Sequence, residues 1–449
     1  MSSENSSSEK LNWVEKQFRM KELGTNVKKE TLAGITTFVS MAYILFVNPS
    51  VLGASGMDKG AVFTATALSA ILGCLLMAFL ANYPIAIAPG LGDNAFFTYS
   101  VVLAMGIKWQ TALAGVVVAS IIFTILTFFK IREIVINAIP HNLKLAMAAG
   151  IGMFIAFIGL QGGGLVVASK SSLVQLGSLT VPTTWLTIFG LFVTALLMAR
   201  KVPGSIFIGI VATAILGLVT GLIKAPSQIV SSIPSMKPTF AVGIKHLGDV
   251  NTPQMWAVVL IFLLVAFFDT AGTLIGLAQQ AGLMKNDKMP RIGQALMADS
   301  VSMLAGSVMG TTPTAAYVES SAGIAVGGRT GFTALVVAVL FGFGMFFSPL
   351  LSVVTTQVTA PALIIVGALM AQSLKEIEWD KFGIALPAFL TVIAMPLTYN
   401  ISYGFAFAFL IYPITMIAAG RKKELNPVVI ALFFVFIVML YVLNVLPSK

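Results

Sequence analysis

Apolar stretches close to 20 residues long recur from one end of the 449-residue chain to the other, separated by short polar turns. Each is long enough to cross roughly 30 Å of hydrocarbon as an α-helix. In order they predict spans at 31–52, 61–82, 85–105, 109–129, 143–161, 184–199, 203–223, 254–280, 292–309, 313–327, 330–352, 357–373, 382–398 and 401–419. A further apolar run, Pro427 to Leu446, is either a fifteenth span or a helix lying along the surface. The pattern predicts an all-α polytopic membrane protein of about 14 transmembrane spans. Its longest connection, Lys224 to Pro253, contains Pro226, Pro234, Pro238 and Pro253 and divides the spans into two sets of seven. Seven is odd, so the halves lie in the membrane with opposite orientation. This is the inverted-repeat plan, in which discontinuous helices of the two halves meet at a central site.

Two spans read as discontinuous: the third, over residues 84–97, and the tenth, over residues 310–323. Each opens on Pro and β-favouring residues and then turns to small residues and Gly, which predicts an extended stretch feeding a half-helix. Third and tenth are equivalent positions in a seven-span repeat. Asn94 lies about 63 residues after Thr31 and Glu319 about 65 after Gln254, so the two occupy matching places in their halves. Unpaired backbone at membrane depth is tolerated only where protein or a watered cavity surrounds it. A polar site between these two spans is expected.

Composition supports the membrane reading, with 57% hydrophobic residues and only 10% charged, where a soluble domain has about 25%. The net charge of +10 does not point to nucleic acid, which requires Lys and Arg gathered on one solvated face. Here the cations collect in alternate turns: Lys130 and Lys144, Arg200 and Lys201, Arg291, Arg329, Lys375 and Lys381, Arg421 to Lys423. That asymmetry predicts a multi-pass cell-membrane protein with a cytoplasmic N-terminus. The first thirty residues are Ser-rich and charged, without the apolar core of a cleavable signal, and Leu11 to Met20 read as a short amphipathic helix at the membrane surface. Cys74 lies in an apolar stretch and is silent on redox compartment, and His141 and His246 sit in turns without the spacing of a metal site. Neither a metal nor a cofactor is expected.

Four acids fall inside spans, Asp93, Asp269, Asp299 and Glu319, and no Lys or Arg accompanies them there. An ionised carboxylate at a helix centre costs on the order of 2.5–3.5 kcal/mol, so each requires a proton, a polar pocket or a helix N-terminus. Asp93 and Asn94 are placed either to cap the half-helix or to touch a ligand. Asp299 reads as a supporting hydrogen-bonding group. Asp269 interrupts a long apolar helix with a polar cluster, and Glu319 lies several residues past the Pro313 start of its own half-helix, so functional roles fit both better. Phe96, Phe97 and Phe268 flank these acids as ordinary packing or as a stacking face for a planar cargo. Gly90 to Asp93 with Pro361 to Leu363 match short motifs of GxGD intramembrane aspartyl proteases, but that family's partner aspartate precedes the Gly-x-Gly-Asp element. Here Asp269 follows it.

Residues 33–49, 88–97, 268–273, 298–300 and 317–329 together resemble the AzgA-like purine permeases of the nucleobase–cation symporter-2 group, and the chain is similar to that group's bacterial guanine/hypoxanthine permeases. The resemblance implies a core of spans 1–4 and 8–11 (31–130 and 254–352) and a gate of spans 5–7 and 12–14 (131–224 and 353–449). A cytoplasmic tail (1–30) and an extracellular linker (225–253) complete the chain. It also implies elevator-like alternating access, with a purine nucleobase and a proton as partners and guanine or hypoxanthine ahead of adenine. An adenine-preferring permease is the alternative within the family. Asp269 and Glu319 correspond to cargo-binding carboxylates, Asn94 to a polar contact, and Asp299 to a supporting or proton-linked acid. Many relatives carry Leu at the position of Asp93, so its role is left open, as is the oligomeric state, a homodimer being one arrangement.

Overall fold

The computed structural model describes residues 13–131, 138–284 and 289–445, with the side chains at 268, 269, 271 and 272 outside the described set. The N-terminal segment forms only a short helix, α1 (Trp13–Gln17). Phe18 and Met20 then turn inward, 2% and 0% exposed, and the Phe18 ring meets those of Phe79 and Phe332. A short helix is thus present within the segment expected to be amphipathic, and two apolar side chains that follow it are anchored in the core; Leu11 lies outside the described residues.

Asn26 caps α2 (Val27–Met41) by accepting from the Lys29 amide at 3.0 Å. The predicted first span is two helices: α2 ends at Ala42 and Tyr43, and α3 (Ile44–Gly53) continues. Asp58 caps α4 (Lys59–Leu76) at the Ala61 amide. The predicted third span is a short strand, β1 (Ile87–Pro89), then α5 (Leu91–Ala95) running into a π-helical segment, Phe96–Ala104. Next come α6 (Trp109–Phe128) and α7 (His141–Gly162). A hairpin, β2 (Val166–Ser169) with β3 (Leu173–Leu176), follows; the sequence reading treated this segment as a turn. The first half closes with α8 (Pro182–Ala199) and α9 (Ser205–Val219).

After a linker containing α10 (Val242–Lys245), the second half opens on the 28-residue α11 (Pro253–Gln280), capped by Thr252, and continues with α12 (Ile292–Met309). The predicted tenth span is β4 (Thr314–Ala316) and α13 (Ser320–Ala325). Then follow α14 (Gly331–Gly344), α15 (Thr356–Met370), α16 (Phe382–Thr398), α17 (Ile401–Ala418) and α18 (Pro427–Asn444). Among the described residues, nine helical stretches are long and apolar enough to cross a membrane, and α9, α16 and the first part of α11 are shorter apolar helices. The two broken segments and α12 fall outside both groups; the helical part of the second broken segment, α13, is only 6 residues long.

Packing runs between the halves. Helix α2 lies on α14, α4 on α12 and α14, and α6 on α11 and α12, while α7 packs on α15 and α16, and α15 on α8 and α9. With lipid as solvent, close backbone approach replaces hydrophobic collapse as the source of helix association. At α7 and α15 the approach is made by glycine. A Cβ at Gly152 would stand 2.9 Å from the Gly367 carbonyl oxygen, and one at Gly367 would stand 2.9 Å from the Ala156 backbone nitrogen. Gly367→Val is therefore expected to force the two helices apart at a cost of at least about 1–3 kcal/mol, seen as reduced membrane abundance and a lower melting temperature in detergent. Wild-type values for both would contradict this packing.

Candidate functional site

Gly310, with a φ of 99°, stops α12 in the left-handed conformation that glycine tolerates, and a Cβ there would crowd Thr239. The chain then runs extended into β4, which pairs antiparallel with β1: Ile87 opposite Ala316, Ala88 opposite Ala315, Pro89 opposite Thr314. The pairing continues past the strands, with Gly90 N donating to Pro313 O and Tyr317 N to Ala86 O, both at 2.9 Å. Side chains complete it: Ser320 Oγ accepts from Ala86 N at 3.0 Å, and Tyr317 Oη donates to Pro89 O at 2.5 Å. Each broken segment thus supplies the hydrogen bonds the other lacks, as backbone at membrane depth requires. Because the pair is antiparallel, α5 and α13 leave it in opposite directions. The extended stretch feeding a helix is present in both segments; their pairing was not anticipated.

The sequence-predicted residues separate by accessibility. Asp93, Asn94, Phe96 and Asp299 are 0% exposed, whereas Glu319 stays partly accessible at the start of α13. Asp93 and Asn94 do not cap α5, since Gly90 holds the N-cap position and no side chain bonds there. Asn94 instead accepts, through Oδ1, a short hydrogen bond from Thr312 Oγ1 of the other half, and its Nδ2 is buried without a hydrogen-bond partner among the described residues. Phe96 lies edge-on to Phe262 of α11, with ring centroids 4.8 Å apart, inside the packed core. Asp299 is enclosed on α12. The side chains of Phe268 and Asp269 lie outside the described residues, but their helix, α11, packs against β4, α13 and α5, so it adjoins both broken segments. Glu319 occupies the N-cap position of α13 without making a side-chain cap bond; its Oε1 accepts from Tyr43 Oη at 2.5 Å.

Three groups went unread in the sequence. Tyr43, 1% exposed, stands at the break between α2 and α3. Asn48 donates from Nδ2 to Thr66 Oγ1 at 2.7 Å and Thr311 Oγ1 at 2.9 Å, tying α3 and α4 to the segment that leads into β4. Glu30, assigned to the tail, is fully buried: its carboxylate accepts from Arg329 N at 2.8 Å, Thr330 N at 3.2 Å and Thr333 Oγ1 at 2.6 Å, an anion seated on the N-terminus of α14. A carboxylate one residue before an apolar run was the available signal. In the linker, His246 Nδ1 lies 2.8 Å from Asp249 Oδ2, and this bond holds the Asp249 carboxyl below its ordinary range. No grouping of three His, Cys, Asp or Glu side chains occurs among the described residues.

Comparison with known proteins places this geometry. The chain is 54% identical to the guanine/hypoxanthine permease PbuG of Bacillus subtilis, over 94% of this chain and 98% of that protein. It is 42% identical to the adenine permease AdeQ of Escherichia coli, over 93% and 94%. Among solved structures, the transmembrane domain of a cyanobacterial bicarbonate transporter, BicA, superposes with a TM-score of 0.61, covering 88% of this chain and 97% of that one at 16% identity. Murine Slc26a9, an anion transporter in its inward-facing state, gives 0.60 over 93% and 74% at 12% identity. At such identities these two establish the fold alone. The named sequence relatives are permeases, which sets aside the protease reading. A family model, Xan_ur_permease, described as a permease family, matches residues 28–407, and the chain belongs to that family of membrane transporters.

Proposed function

We propose that this permease imports purine nucleobases, guanine and hypoxanthine ahead of adenine, together with protons across the cell membrane. The observation that carries the reading is Glu319: a half-buried acid at the start of α13 bonded by Tyr43, with the buried amide of Asn94 on the other broken segment, whose strand β1 pairs with β4. A carboxylate accepts N–H donors, and an amide nitrogen offers one to a ring nitrogen or carbonyl oxygen. A purine presents both kinds of edge. No Lys or Arg lies within the predicted spans that carry Asp93, Asp269, Asp299 and Glu319, which disfavours an anionic cargo despite the fold shared with anion carriers. The relatives' names support purines and leave adenine as the competing preference.

In this reading the spans form seven-plus-seven inverted halves with a cytoplasmic N-terminus. Helices α2–α6 and α11–α14 make up the cargo-carrying core, α7–α9 and α15–α17 the gate, and the core moves against the gate in an elevator-like step. The separate packing of α2 on α14 and of α7 on α15 and α16 supports that division. Asp269 joins Glu319 in the site, Phe268 or Phe96 supplies the aromatic face, and Asp299, with Asp93, supports the site or carries the proton. Uptake of labelled hypoxanthine by cells expressing the protein is expected to be blocked by guanine, more weakly by adenine, not by uracil, and to collapse when a protonophore removes the proton gradient. Inhibition by uracil alone would overturn the purine assignment, and protonophore-resistant accumulation would overturn the coupling.

A further inference from the structure

We propose that Tyr43 is the positioning residue for Glu319, fixing which atom of residue 319 faces the cargo; the inference rests on the reading that Glu319 contacts the base. Glu319 sits at the N-cap position, yet its carboxylate makes no bond to the helix it precedes. The bond that fixes it comes from 276 residues away, where Tyr43 Oη donates to Oε1 at 2.5 Å. A phenolic O–H to a carboxylate is a charge-assisted bond, stronger and more directional than a neutral one. Tyr43 is 1% exposed and Glu319 is half-buried, so of the two residues Glu319 is the less enclosed. With Oε1 held toward Tyr43, Oε2 is the oxygen presented to the cargo.

Tyr43 stands where the first span breaks between α2 and α3. The break sets the tyrosine between two helices packed on different partners, α2 on α13 and α14, and α3 on α4 and α5. One hydroxyl thereby links the first span to the broken tenth span.

The consequence is a polarity rule for position 319. A phenol is a better donor than acceptor, so Tyr43 demands an acceptor on its side. In Glu319→Gln the amide oxygen is drawn to Tyr43 and the NH₂ group is turned toward the cargo, the wrong polarity for the N1–H of guanine. Removing the hydroxyl frees the amide to rotate and present its oxygen instead.

The test is a double-mutant cycle, with inhibition constants for guanine and adenine measured against labelled hypoxanthine uptake. These constants do not depend on transporter number, so lowered expression of a variant leaves the test intact. Tyr43→Phe alone is expected to weaken guanine inhibition roughly tenfold, the scale of one charge-assisted bond. Glu319→Gln alone is expected to weaken it at least about tenfold. The double variant is expected to bind guanine better than Glu319→Gln alone, because the amide can turn. Additive losses in the double variant, or an unchanged guanine constant in Tyr43→Phe, would overturn the positioning role while leaving the site reading intact. An unchanged guanine constant in Glu319→Gln would overturn the site reading itself.

Discussion

Asp269→Asn is expected to abolish nucleobase uptake while the protein still reaches the membrane in normal amount. The substitution keeps the side chain's size and exchanges one carboxylate oxygen for an NH₂ group. Structural damage should be small, because the backbone of α11 is helical through this position, with Phe267 and Thr270 buried on either side. The functional loss should be large for two reasons. An acid held in a membrane helix that adjoins both broken spans is costly to keep unless it is used, on the order of 2.5–3.5 kcal/mol if ionised. An amide, moreover, can neither take up a proton nor accept base N–H groups on both sides. Uptake of labelled hypoxanthine should fall to the level of cells without the transporter, with membrane abundance checked by immunoblot. Wild-type uptake would remove Asp269 from the site.

Local chemistry made the breaks in the third and tenth spans readable. Pro84, Pro89 and Pro313 exclude regular helix, and Gly90 and Gly310 mark where the chain changes direction, so both extended stretches were visible in a few residues each. What joins them was not. The β1–β4 pair, the Thr312–Asn94 bond and the Tyr43–Glu319 bond span more than two hundred residues, and no periodicity within one span reports on a partner in the other half. Tyr43 and Asn48 fall in an apolar run where single polar side chains read as incidental, yet Tyr43 at the break that splits the first span and Asn48 within α3 both reach the tenth. Glu30 was misplaced for a related reason. As the last residue before an apolar run it looked like tail, while its partners at 329–333 are brought to it only by the packing of α2 on α14.

The same geometry shows why identity and accessibility must be read together. Four of the residues chosen from sequence, Asp93, Asn94, Phe96 and Asp299, are sealed in this conformation, and Glu319 is not. The enclosed network of Asn94 with Thr312, and of Asn48 with Thr66 and Thr311, keeps the two broken spans together as one body. In the proposed function, Glu319, the less enclosed acid, is the one that meets the cargo.

Glu319→Gln is expected to weaken guanine recognition at least about tenfold and adenine recognition much less. Guanine and hypoxanthine carry an N1–H donor, and guanine adds an amino group beside it, so an ionised carboxylate accepts from that edge. Unprotonated adenine has an acceptor at N1, and the same carboxylate would face it lone pair to lone pair. With Oε1 engaged by Tyr43 at 2.5 Å, the atom that changes toward the cargo in the glutamine variant is the second oxygen, which becomes an NH₂ donor. Donor then meets donor at guanine N1, a mismatch costing about 1–3 kcal/mol, or more where a charge is lost, and 1.4 kcal/mol is one factor of ten. At adenine N1 the new donor finds an acceptor, so the ratio of guanine to adenine inhibition constants should shift toward adenine by more than either constant alone. The measurement is competition by each base against labelled hypoxanthine in wild type and variant. An unchanged ratio would mean that residue 319 does not read the six-membered edge of the base, and that any preference between guanine and adenine is set elsewhere.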